Sequence, residues 1–124
     1  MFLQLFSCSG SLQIESNKVL YNDIIEYEKE HGEIIFDNII ESWDYVVIDS
    51  AYHIQSALNE LDVLNAKNIE IQHDDTIFVV FVLKQEIVTY TIVYNTEKNV
   101  FGILQLYLYQ NNEETYLPKT KFTK

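Results

Sequence analysis

The sequence predicts an α+β fold, in which N-terminal helices pack on a four- to five-stranded antiparallel meander sheet. Three observations carry that expectation. Apolar residues recur every three or four positions through the first half; β-branched and aromatic runs alternate with short polar connections after Asn68; and the 124 residues, 48% apolar and 14% aromatic, hold enough side chains for a core. Three glycines, one proline and no visible linker or repeat make residues 1–124 read as a single domain. Within it, residues 1–65 form a helix-rich acidic half and residues 69–122 a β-meander half.

Taken in order, Phe2, Leu3, Leu5 and Phe6 are followed by Leu12 and Ile14 across the turn signal Ser7-Cys8-Ser9-Gly10, which suits a hairpin of short strands. From Asn17 to Glu30, Leu20, Tyr21, Ile24, Ile25 and Tyr27 keep helical spacing, and His31-Gly32 supplies a stop. Ile35, Phe36, Ile39, Ile40 and Trp43 repeat that spacing and predict a second helix over Glu33 to Trp43, although Ile34-Ile35-Phe36 also fits a short strand. Tyr45-Val46-Val47-Ile48 reads as a buried strand. A third helix then opens near Ser50, with Ile54, Ala57, Leu58, Leu61 and Leu64 inward and Asn65 near its end.

Beyond Asn68 the runs Ile69 to Gln72, Thr76 to Leu83, Ile87 to Tyr94 and Val100 to Tyr109 are joined by three to five polar residues, the pattern of a meander. A last edge strand is expected around Tyr116 to Phe122, beside Pro118. Read as a strand, Val100 to Tyr109 places Leu104, Leu106 and Leu108 on one face and Tyr107 and Tyr109 on the other. Ile77 to Leu83 is apolar on both faces and must be covered twice. Helices supply one cover, and the N-terminal hairpin or a second copy of the chain, in a homodimer through the sheet, supplies the other.

The net charge of −11 is unevenly placed. Residues 1–62 carry twelve acids against two lysines, or −10, whereas residues 63–124 carry seven acids against six lysines, or −1. Asp23, Glu26, Glu30, Glu33, Asp37, Glu41 and Asp44 follow one another at intervals of three and four, which on continuous helices makes one acidic stripe. An amphipathic helix needs a polar face in any case, but like charges at such intervals each cost about 0.2–0.5 kcal/mol. A one-signed stripe also attracts and steers an oppositely charged partner. Trp43, at the end of the stripe, reads either as core or as an anchor on the binding face.

All eight cations are lysine. Without arginine the chain has no bidentate fork for phosphates or base edges, and its charge repels a polymer bound through phosphate neutralisation, so direct nucleic-acid binding is not expected. His31, His53 and His73 have no partner at ligand spacing, Cys8 is alone, and no phosphate-binding or nucleophile-elbow glycine motif occurs. No metal, cofactor or enzymatic activity is therefore expected, and His73-Asp74-Asp75 reads as a turn. The single cysteine, the short apolar start and the lack of a bilayer-length apolar run fit a cytoplasmic chain that does not enter a membrane.

In overall character, a short acidic α+β chain without arginine or catalytic motifs, the sequence resembles the immunity proteins of bacterial polymorphic-toxin systems of the contact-dependent growth inhibition type. The resemblance implies inhibition of a cognate toxin domain, often a basic nuclease, by covering its active site. Two alternatives stand beside it: a phage-type DNA mimic that inhibits a nucleic-acid enzyme, and a small ligand-binding or enzymatic α+β domain. The Tyr-rich sheet face competes with the acidic stripe as the interface.

Overall fold

The structure is a computed structural model and describes residues 13–72, 74–111 and 121–123. Its elements follow the order α1 (Lys18–His31), a 3-10 turn (Phe36–Asn38), β1 (Tyr45–Ser50), α2 (Ile54–Glu60), a second 3-10 turn (Ala66–Asn68), β2 (Thr76–Leu83), β3 (Glu86–Tyr94), α3 (Lys98–Asn111) and β4 (Lys121–Thr123). The fold is α+β with an antiparallel sheet, as the sequence predicts. Three long strands lie in the order β3-β2-β1, and β4 pairs with the outer edge of β1 from Tyr45 to Val47.

Helix α1 forms where the spacing places it, and both ends are chemically marked. The Asn17 side chain accepts from the Leu20 amide at 2.9 Å, and Gly32, at φ 74°, closes the C-terminus by donating its amide to the Glu28 carbonyl at 2.7 Å. Asn17 also ties the helix to β3: its backbone N–H donates to the Tyr90 carbonyl and its side-chain amide to the Thr89 hydroxyl.

Glu33 to Trp43 is not a second helix. Ile34 and Phe36 are buried around an exposed Ile35, a period of two, and within this stretch only Phe36–Asn38 closes a turn, of 3-10 type. Four β-branched isoleucines weaken any helix here, and the Trp43 indole N–H takes the Ile40 carbonyl. The third expected helix is likewise shorter. Strand β1 runs on through Asp49 and Ser50, α2 spans Ile54–Glu60, and Asp62 at φ 58° turns the chain away, leaving Leu64 exposed.

The β2–β3 hairpin matches the sequence expectation closely. Its two-residue turn puts Lys84 (φ 54°) and Gln85 (φ 66°) in the left-handed region, the geometry that suits strand twist but disfavours side chains with Cβ. The surroundings hold it. The Asp44 carboxylate accepts from the Lys84 amide at 2.8 Å, while the Gln85 side chain donates to the carbonyls of Leu61 and Asp62.

The meander ends there. Val100 to Tyr109, expected as a strand, belongs to helix α3, with Val100, Phe101 and Leu104 buried and Gly102, Gln105, Leu106 and Tyr109 exposed. Ile69 to Gln72 contributes one parallel bridge, Ile69 with Ile14, rather than a strand. Of the expected hairpin from Phe2 to Ile14, residues up to 12 lie outside the described residues, and Ile14 bridges Ile69; the stretch 116–120 of the expected last strand also lies outside them, and Lys121–Thr123 is the edge strand β4.

Both sheet faces are covered by the chain itself. On one, Leu20 and Ile24 of α1, Val100, Phe101 and Leu104 of α3, and Ile34, Phe36 and Trp43 pack over Val46, Ile48, Ile77, Val79, Phe81 and Val93. On the other, Ile54, Ala57 and Leu58 of α2, with Val63, Ala66 and Ile69, cover Val47, Phe78, Val80, Val82 and Tyr90. The helices are thus split between faces and drawn from both halves of the chain, not gathered from the first half on one side. The double cover required by β2 comes from α1 and α3 on one side and α2 on the other, so no exposed Tyr-rich sheet face exists among the described residues. Each fully buried Val, Ile, Leu or Phe contributes about 1.5–3 kcal/mol.

Candidate functional site

The acidic residues separate once the second helix is replaced by a loop. Asp23, Glu26 and Glu30 remain in register on the exposed side of α1. Tyr27 lies between them, four residues after Asp23 and three before Glu30, and its hydroxyl accepts from the Asn38 side chain at 2.9 Å. That bond docks the 3-10 turn, which carries Asp37, onto the flank of α1 that presents Asp23 and Glu30. Glu33 follows the α1 C-cap, and Glu41 lies exposed in the loop beyond the turn. Lys29 forms an exposed ion pair with Glu26 at 3.9 Å.

Two members of the expected stripe have other work. Trp43 is 5% exposed and edge-on to Phe81, at 5.6 Å between ring centroids, so it is core and offers no surface anchor. Asp44, though exposed, spends a carboxylate oxygen on the Lys84 amide and fixes the hairpin turn. The tyrosines disperse too: Tyr90 is buried under α2 and its flanking loop, Tyr94 is half exposed at the end of β3, and Tyr109 projects from α3.

A second feature is a groove of about 610 Å³ on the α2 side of the sheet, walled by residues 13–16 with Lys18, by Glu70, Gln72 and Asp74, and by the ends of β2 and β3. Tyr90 organises it. Its hydroxyl donates to the Ile14 carbonyl at 2.8 Å, and burial raises its pKa, helped by the carboxylates of Glu70 and Glu15 and opposed by the Glu70 backbone amide. Glu15 and Glu70 follow the two residues of the parallel bridge between Ile14 and Ile69, and both line the groove. Asp74 and Lys18 stand on the rim, and Ile14, Phe78 and Ile92 form an apolar lining. Sequence reasoning missed this site because a single-residue bridge between segments 55 positions apart leaves no periodic trace.

At the entry to α2 the Ser50 hydroxyl lies 3.1 Å from Nδ1 of His53, and the preceding Asp49 carboxylate accepts from the Ser50 amide at 2.8 Å. The carboxylate thus bonds the backbone and does not orient the imidazole, which is the arrangement of a turn opening a helix, not of a nucleophile, base and orienter in series. Burial, the largest influence, pushes the Asp49 pKa above its ordinary value, while the Ser50 bond and His53 pull it down. Among the described residues no three His, Cys, Asp or Glu gather as a metal site, and no helix is long and apolar enough to cross a membrane.

No family model, curated protein or solved structure matches this chain.

Proposed function

We propose that the chain is a non-enzymatic acidic binding module that captures a basic protein, in the manner of an immunity protein neutralising a cognate toxin domain. The observation that carries this reading is the flank made by α1 and the docked turn. Asp23, Glu26, Glu30 and Asp37 are exposed there, and Lys29 pairs with Glu26 beside them.

A flank built only for solubility gains from alternating signs, since like charges three and four apart repel and opposite charges attract by similar amounts. A flank on which Asp23, Glu26, Glu30 and Asp37 outnumber Lys29 accepts that repulsion. In return it sets up a field that draws a cationic surface in quickly, and carboxylates on a rigid helix stand where the partner's anionic substrate otherwise sits. A nuclease substrate groove, lined with cations for phosphates, is the natural match. Trp43 and Asp44 are not part of this surface.

The test is capture of interacting proteins on the immobilised chain at low ionic strength, run in parallel with Asp23→Lys/Glu30→Lys. Both positions are exposed and outside the core, so the variant keeps its fold, as a thermal melt checks. The expected outcome is a basic protein retained by the original chain and lost from the variant. An identical set of retained proteins on both overturns the assignment of the flank.

A further inference from the structure

We propose that the outward face of α3, formed by Gly102, Gln105, Leu106 and Tyr109, docks against the same face of a second copy of the chain, with the two helices antiparallel. This surface lies on a different helix from the acidic flank, and the two readings fail independently.

The face is turned away from the core. With about 3.6 residues per turn, Gly102, Leu106 and Tyr109 stack on one side of α3, opposite the buried Val100 and Leu104. Leu106 is 53% exposed and Tyr109 83%, and neither belongs to the core clusters on either side of the sheet. Two large apolar side chains therefore stand in register one turn apart on the surface.

A second, independent observation is Gly102 itself. Glycine in a helix interior destabilises the helix relative to alanine. Here the backbone is not left-handed, and a methyl group at this position would meet nothing within 4 Å among the described residues. No described neighbour within the chain requires a glycine there. What it provides is a gap in the side-chain surface, which opens on a concavity of about 450 Å³ lined also by Asn95, Lys98, Phe101 and Gln105.

Symmetry and charge select a second copy as the occupant. A two-fold axis passing between Gln105 and Leu106 sets Gly102 of each antiparallel helix against Tyr109 of the other, because the two positions are equally far from that axis in sequence. Each Tyr109 ring then enters the gap beside the opposing Gly102, where Phe101 offers a ring and Lys98 an ammonium, both favourable neighbours for an aromatic side chain. Copies of charge −11 repel one another, so they can meet closely only where acids are missing. Helix α3 carries Lys98 and no acid, whereas α1 carries Asp23, Glu26, Glu28 and Glu30 and α2 carries Glu60. A basic partner finds no carboxylate on α3 to pair with.

The experiment is sedimentation equilibrium of the full chain at concentrations up to about 1 mM, in about 0.1 M and about 1 M salt. A reversible monomer–dimer equilibrium is expected, tighter at the higher salt because screening weakens the repulsion between two copies of charge −11 and leaves apolar contact intact. Gly102→Gln fills the gap and Tyr109→Ala removes the ring that enters it. Each weakens the dimer about tenfold or more, since each change acts twice across a two-fold axis. The melting temperature of dilute Gly102→Gln stays at or above that of the original chain, because glutamine is the better helix former and has open space around it. Leu64→Ser, at a residue 70% exposed in the loop after α2, leaves dimerisation within about twofold. A monomer at every concentration in both salts, association that weakens as salt rises, dimerisation unchanged in Gly102→Gln or in Tyr109→Ala, or an equal loss in Leu64→Ser each overturns the proposal.

Discussion

Trp43 packs edge-on against Phe81 while its indole N–H is held by the Ile40 carbonyl, so one residue both fills the core and pins the loop that replaces a helix. Trp43→Ala removes the ring and its buried contacts, and about 3–5 kcal/mol of stability goes with it, read as a large drop in melting temperature. Asp49 shows a subtler dependence. Burial raises its pKa above 3.8, so the folded chain holds that proton to higher pH than the unfolded chain does. Below the ordinary aspartate range both states are protonated and nothing is lost. As pH rises through the folded value, ionisation costs the native state stability, and the cost persists at neutral pH. Asp49→Asn removes this cost and keeps an oxygen for the Ser50 amide. The variant's melting temperature relative to the original chain is therefore more favourable at pH 7 than at pH 3, as paired thermal melts at the two values will show.

Among the elements, α3 is the informative one. Val100 to Tyr109 is so uniformly apolar that it satisfies a period of 2 and a period of 3.6 at once, and only packing decides between them. The strand register groups Leu104 with Leu106; the helix buries Leu104 and exposes Leu106. Leu104→Ala consequently costs about 2–5 kcal/mol and Leu106→Ala no more than about 0.5, measured by denaturant unfolding. Elements with local chemistry were legible in advance. The Asn17 and Gly32 caps mark α1, the alternation of apolar runs with Lys84-Gln85 marks the β2–β3 hairpin, and Tyr45 to Ile48 is apolar enough to require a central strand. Glu33 to Trp43 was not, because Phe36, Ile39, Ile40 and Trp43 have helical spacing, yet they pack on one core from a loop, Phe36 and Trp43 buried and Ile39 and Ile40 only partly so. The acidic stripe inherits that error beyond Glu30, and what reunites Asp37 with α1 is the Tyr27–Asn38 bond, which no spacing rule reveals.

For the whole molecule, the consequence is a sheet buried on both faces, with its charge carried on outer helices and loops. A core closed by α1 and α3 on one side and α2 on the other leaves the surface free to be shaped for partners, and the −10 of residues 1–62 is the largest bias on that surface. Electrostatic capture has a quantitative signature, since attraction between exposed charges weakens as the screening length falls from about 10 Å at 0.1 M salt to about 3 Å at 1 M. The most direct test of the acidic flank is the affinity for the captured basic partner as a function of salt, in the original chain and in Asp23→Lys/Glu30→Lys. The account predicts that affinity falls steeply with salt in the original chain, and that the variant binds at least about tenfold more weakly at low salt with a shallower dependence. Equal affinities with parallel salt dependence would contradict it.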